Sequence, residues 1–179
     1  FHHDMPRVAQ LLPIPDGEHN ADLRRYGFHG LSYEFLLGEL IRTDGAVAGH
    51  GRIIMAHLGN GASLAAVREG KCIDTSMGFT PASGVMMATR SGDIDPGLAN
   101  YLARTKKMYA AKFEEMVTTQ SGLLGVSGTS GDMRDLLQQE GTNPRAGEAV
   151  ALFCYQINTW RGEVTAALGG VDTIVCSGA

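Results

Sequence analysis

The five residues His57-Leu58-Gly59-Asn60-Gly61 stand between two apolar runs, Gly51-Arg-Ile-Ile-Met-Ala56 and Ala62-Ser-Leu-Ala-Ala-Val67. A strand that stops at Gly-Asn-Gly exposes backbone N–H groups with no Cβ in the way, which is how a chain makes room for a phosphate. Asn-Gly is equally a hairpin signal, so the segment alone leaves a tight turn and a phosphate loop both open. Three further segments carry groups that could do chemistry. In Thr89-Arg-Ser-Gly-Asp-Ile-Asp-Pro96, Arg90 either pairs with Asp93 or Asp95 or offers a planar, permanent cation to a transferring phosphoryl group. In Arg24-Arg-Tyr-Gly-Phe-His-Gly30, His29 either packs and caps or points into a cleft at a helix N-terminus, whose positive end would depress its pKa. In Gly125-Val-Ser-Gly-Thr-Ser-Gly-Asp-Met-Arg-Asp135, Asp132 either caps a helix or binds a ribose hydroxyl or adenine edge, with Arg134 on the base.

The elements that would position these groups follow from periodicity. Leu31 to Ile41 has apolar residues at helical spacing, with Ser32 as a cap candidate. A polar break, Thr43 to Gly51, precedes three expected strands, Arg52–His57, Ala62–Arg68 and Lys71–Thr75, the last two joined at Glu69-Gly70. Met77 to Gly97 reads as a long loop of the kind that is functional or disordered. Helical patterns cover Leu98–Thr105 and Ala110–Thr119. A glycine-rich segment, Ser121–Gly131, leads to a short helix at Asp132. Pro144 opens a long helix reaching about Leu168, and Gly169-Gly170 ends it. Val171–Ser177 reads as a buried strand. This is a mixed α/β pattern, in which ligands collect at the carboxyl ends of strands, where Asn60 and Ser177 sit.

Composition narrows the function. The chain has 179 residues, 24 of them glycine, 44% hydrophobic and 19% charged, with a net charge of −4. The lack of a basic block argues against nucleic-acid binding. No apolar run approaches the roughly 20 residues of a membrane span. Cys72, Cys154 and Cys176, in apolar surroundings, read as reduced cytosolic thiols, which points to the cytoplasm. No Walker A sequence, no G-x-G-x-x-G after a first strand and no His-Glu-x-x-His is present. The Phe1-His-His-Asp-Met-Pro6 cluster reads as a solvated loop, because three neighbours in a row do not converge on one ion. Residues 1–20 read as loop-rich, and the first residue, Phe1, and the strand ending at Ala179 give the look of a fragment cut at both ends.

The order and spacing of six motifs closely resemble the acetate kinase family. They are Tyr26-Gly-Phe-His-Gly30, His57-Leu-Gly-Asn-Gly61, Asp74-Thr-Ser-Met-Gly-Phe-Thr-Pro81, Thr89-Arg-Ser-Gly-Asp-Ile-Asp-Pro96, Ser121-Gly-Leu-Leu-Gly-Val-Ser-Gly128 and Asp132-Met-Arg-Asp135. The resemblance covers essentially the whole chain. It implies an actin-like, ribonuclease-H-like α/β fold, of which this chain would be most of the second, C-terminal domain. It implies transfer of the ATP γ-phosphoryl group to acetate, with propionate or butyrate as alternative acids and a non-catalytic nucleotide-binding fragment as a rival reading. His29 and Arg90 then match the family's transition-state stabilisers and Phe28 the wall beside the acyl group. His57, Leu58, Gly59, Asn60 and Gly61 match the phosphate loop, and Asp132, Met133 and Arg134 the adenosine segment. The Mg²⁺ ligands, a catalytic aspartate and the carboxylate-gripping arginine would lie outside these residues, so the 179 residues alone are expected to be inactive. A homodimer is implied for the full-length protein. The chain departs from the family at Leu31-Ser32-Tyr33, where Thr-Ser-His is common, at Ser83 in place of Glu and at Gly131 in place of Ser.

Overall fold

The computed structural model describes residues 1–15 and 22–178, in two compact units. Residues 16–21, the end of the expected loop-rich start, lie outside the described residues. The first unit comprises residues 1–58, 62–81 and 158–179, and the second comprises 59–61 and 82–157.

The first unit is built on a four-stranded mixed sheet of order β3-β2-β1-β4. β1 (Arg52–Leu58) and β2 (Ala62–Arg68) are antiparallel, paired from Arg52↔Arg68 to Leu58↔Ala62. The Gly59–Gly61 segment is therefore a hairpin turn, as the Asn-Gly signal allows. β3 (Lys71–Thr75) returns against β2 through Glu69-Gly70, both at positive φ, and β4 (Thr173–Ser177) lies parallel to β1. β1 and β2 are buried on both faces, which is why they read as near-continuous apolar runs. On one face Ile53, Met55, Ala65 and Val67 join Tyr33 and Leu40 of α2 (Gly30–Asp44) in a single core cluster.

Several expectations are corrected here. The break 43–51 contains a short helix, α3 (Ala46–His50), and a four-residue helix, α1 (Arg7–Gln10), lies in the loop-rich start. Among the described residues β4 pairs with β1 alone, and it alternates half-buried with exposed residues where the sequence reads as a buried strand. Cys72 is buried, but Cys154 and Cys176 are exposed.

The second unit is helical. Its elements are α4 (Gly97–Lys106), α5 (Ala110–Thr119), α6 (Gly122–Ser127), α7 (Met133–Gln139) and the first part of α8 (Pro144–Leu168). The glycine-rich segment thus holds a helix, α6, that periodicity did not reveal because it is only 6 residues long. Leu123, Leu136, Ala146 and Ala149 form this unit's core with Met86.

His2 is the largest departure from expectation. It lies in a 3-10 turn, His2–Asp4, not in a solvated loop, and is 9% exposed. Gly27 makes the space: at φ +72° it needs no Cβ, and a Cβ there would sit 2.4 Å from the His2 ring. Among the described residues Nε2 of His2 has no hydrogen-bond partner. Burial above all, with His29 adding to it, pushes its pKa down from 6.5 to about 4. As pH falls, the unfolded chain takes up this proton before the folded one. The stability that a neutral His2 confers is therefore full above about pH 6.5 and declines toward pH 4. Denaturant midpoints at pH 7 and pH 5 should show a loss on the order of 1–2 kcal/mol at the lower pH. His2→Phe should abolish most of that difference.

Candidate functional site

The hairpin register builds a polar row at one end of the sheet. Ile53, Met55 and His57 alternate onto one face of β1. Opposite His57 stand Ser63 on β2 and Ser177 on β4. Apolar packing under α2 therefore gives way, at the carboxyl end of β1, to a serine–histidine–serine row. His57 Nδ1 lies 3.1 Å from Ser32 Oγ of α2 and 3.5 Å from Ser177 Oγ. Burial lowers the His57 pKa, so the ring is neutral near pH 7.

His29 enters from above. It occupies the position before α2 with φ 62° and ψ 19°, a left-handed conformation that histidine adopts more readily than most residues. This turns its ring back onto the sheet. It stacks on His57 with centroids 4.2 Å apart and an interplanar angle of 26°, and its Nδ1 lies 2.8 Å from Ser63 Oγ. Motifs nearly thirty residues apart in the chain thus meet ring on ring. Ser32 is not the helix cap: its hydroxyl is directed to His57. Phe28 is half-buried. Ser32, Tyr33 and Ser63 were not singled out for this site from the sequence. A serine in the otherwise apolar β2 run, on the face shared with Ala65 and Val67, was the available signal.

In the second unit the turn and the arginine loop are held by backbone. Gly59 N–H donates to Gly61 O, so one expected phosphate donor is used inside the turn, and Ala88 N–H donates to Asn60 O. Asn60 is exposed. Arg90 is half-buried, with Nη1 3.5 Å from Met87 Sδ. Asp93 accepts from Gly84 N–H, and Asp95 from Gly97 N–H at the start of α4, so both carboxylates brace the loop backbone. The loop docks on α6, where Leu123 and Leu124 N–H donate to Met87 O and Ala88 O. Gly122 permits this approach. It has φ +63°, and a Cβ there would lie 2.1 Å from Met87 O and 2.7 Å from Arg90 O.

Asp132 caps α7: Arg134 N–H donates to Oδ1 at 2.8 Å, and the Arg134 guanidinium pairs with Oδ2 at 2.6 Å. The Arg134 side chain, then its backbone N–H, hold the Asp132 carboxyl down at about 2. Met133 packs against the unit's core. A cleft of about 310 Å³, lined by residues including Met86, Ser91, Met116 and Gln156, touches none of the residues expected to act. Among the described residues no group of three His, Cys, Asp or Glu side chains could hold a metal ion, and no helix is long and apolar enough to cross a membrane.

The family model described as the acetokinase family matches residues 1–179. The chain belongs to the acetokinase family. It is 46% identical over 178 residues to an acetate kinase of Rhodopseudomonas palustris (strain TIE-1), covering 99% of this chain and 44% of that protein. A propionate kinase of Citrobacter rodentium (strain ICC168) is 42% identical over 180 residues, covering 99% of this chain and 45% of that protein. The crystal structure of Porphyromonas gingivalis acetate kinase superimposes with a TM-score of 0.93 at 40% identity, over 97% of this chain and 44% of that one. The fold is accordingly that of the actin-like ATPases, as in the acetokinase structures. The chain spans less than half the length of these acetokinase relatives.

Gly122→Ala is expected to destabilise the protein by at least about 2 kcal/mol, because a left-handed residue gains a Cβ against two carbonyls. Thermal unfolding checks it, and an unchanged midpoint would mean that the Arg90 loop does not depend on this approach.

Proposed function

We propose that the full-length protein transfers the γ-phosphoryl group of ATP reversibly to a short carboxylate, acetate first, giving acyl phosphate and ADP. The observation that carries this reading is the His29–His57 stack, which joins two of the family's motifs at the carboxyl end of β1. An imidazole and a guanidinium are what a phosphoryl group in flight requires, since its charge spreads over its oxygens. His29 and Arg90 are assigned that role, with direct in-line transfer. Phe28 is assigned to the acyl group and the turn from His57 to Gly61 to the phosphates. Asp132, Met133 and Arg134 are assigned to the adenosine. Because the Asp132 and Arg134 side chains already pair with each other, nucleotide binding would use their outer faces or exchange that pair.

Mg²⁺ would neutralise phosphate charge during transfer. No residue of this chain is assigned to it, and no step is derived through it. We further propose that these residues form most of the C-terminal domain of a cytoplasmic homodimer. Propionate is the second reading, favoured by the propionate kinase at 42% identity. Comparing kcat/KM for acetate, propionate and butyrate ranks the acids.

In the full-length protein Arg90→Ala should lower kcat by at least about 10²-fold with a modest change in the KM for ATP. Hydroxamate trapping of the acyl phosphate measures it. Turnover near that of the unaltered protein would remove Arg90 from the chemistry.

A further inference from the structure

The cleft of about 310 Å³ in the second unit takes no part in the phosphotransferase reading. Met86 of the Arg90 loop, Met116 of α5, Val126 of α6 and Leu152 of α8 supply its apolar lining. Among the described residues no acidic, basic or histidine side chain lines it. Its two serine hydroxyls donate to backbone: Ser91 Oγ to Gly92 O at 2.8 Å and Ser121 Oγ to Met116 O at 2.7 Å. Two side-chain amides complete the lining, and each is oriented by a partner that can act in only one way. A backbone N–H only donates, so the Gln156 atom 2.7 Å from Met86 N is the carbonyl oxygen Oε1. Among the described residues the Gln156 amide nitrogen, Nε2, then has no hydrogen-bond partner. A carboxylate only accepts, and the Lys112 ammonium holds Glu115 in that form. The Gln120 atom 3.0 Å from Glu115 Oε1 is therefore Nε2, which leaves Gln120 Oε1 as an acceptor. The cleft thus combines apolar walls with one N–H donor and one C=O acceptor, and its own lining carries no charge.

We propose that this cleft binds a small neutral molecule with an apolar body, an acceptor for Gln156 Nε2 and a donor for Gln120 Oε1, the chemistry of an aromatic primary amide. Its volume lies at the lower end of the roughly 300–1,000 Å³ of small-molecule sites. An aromatic body suits walls that hold two methionines, because the thioether sulfur packs favourably against a ring. A charged molecule would give up its hydration without gaining an ionic partner. The site borders the loop that carries Arg90. Within that loop Met87 N–H donates to Arg90 O at 3.0 Å, and Leu123 N–H of α6 donates to Met87 O at 2.8 Å. An occupant that touches Met86 and Ser91 on one side and Leu152 and Gln156 on the other bridges the loop to α8 and holds it docked. The site stands whether or not the full-length protein transfers a phosphoryl group.

The test uses the full-length protein with ¹³C-labelled methionine methyl groups, and benzamide as the probe. The Met86 and Met116 methyl resonances should shift and saturate with a Kd of about 1 mM or tighter. Hydrogen exchange of the Met87 and Leu123 amides should slow several-fold at saturation. Benzylammonium, of similar size but charged and without an acceptor, should leave both methyls unmoved. Leu152→Trp, at a helix position 37% exposed and so tolerant of bulk, should fill the cleft and weaken benzamide binding at least about tenfold. If that variant fails to fold, Gln120→Leu, at an exposed position, should weaken binding about tenfold and decides in its place. Methyls that stay unmoved by benzamide up to about 10 mM overturn the site, as do methyls that respond equally to both probes. A folded Leu152→Trp or Gln120→Leu protein with undiminished affinity overturns it as well. Shifted methyls with unchanged amide exchange overturn the bridging of the Arg90 loop.

Discussion

The pairing of Leu58 with Ala62 across the Gly59–Gly61 turn is the constraint on which the first unit's polar row depends. It places His57 opposite Ser63, on the face that α2 covers. Side chains alternate along a strand, so a slip of one residue would send His57 to the far face and bring apolar groups beneath His29. The apolar remainder of that face resists such a slip. Ile53, Met55, Ala65 and Val67 are all fully buried against α2, and each would have to leave the core together. Hydrophobic packing thereby sets the position of a polar row that has little packing of its own.

The second unit positions its groups differently. Arg90 is carried on a loop with no regular structure, and precision comes from backbone hydrogen bonds to α6 and from the carboxylates of Asp93 and Asp95. A buried loop has to find partners for its own N–H and C=O groups, and here a helix N-terminus supplies donors for two carbonyls. The polar row thus relies on register, and the Arg90 loop on close backbone approach through a glycine.

Much of this was legible in the sequence, and the limits have physical reasons. The β1–β2–β3 meander, the long helix from Pro144 to Leu168 and the Asp132 cap are each set by local signals: turn residues, periodicity and a side chain two residues from its donor. The helices α3 and α6 are too short to show a period. The partial exposure of β4 follows from its pairing with β1 alone among the described residues, which Ile174 and Val175 do not announce. His2 is buried because Gly27, twenty-five residues later, lacks a Cβ, and no spacing rule connects those positions. The contacts of Ser63 with Tyr33 and His29 were hidden for the same reason, since they become visible only once strand register and helix docking are both known. Of the readings of Asp132, the cap is what the fold shows, and the same carboxylate also pairs with the Arg134 guanidinium, which a side chain two residues away makes possible.

We propose that the carboxyl end of β1, with its stacked imidazoles, is where the full-length protein handles a phosphoryl group. A crystal structure of the full-length protein with ADP and aluminium fluoride, a mimic of that group in transfer, tests this most directly. The fluoride is predicted within hydrogen-bond distance of His29 Nε2. A fluoride seated away from His29, with the His29–His57 stack untouched, would contradict it.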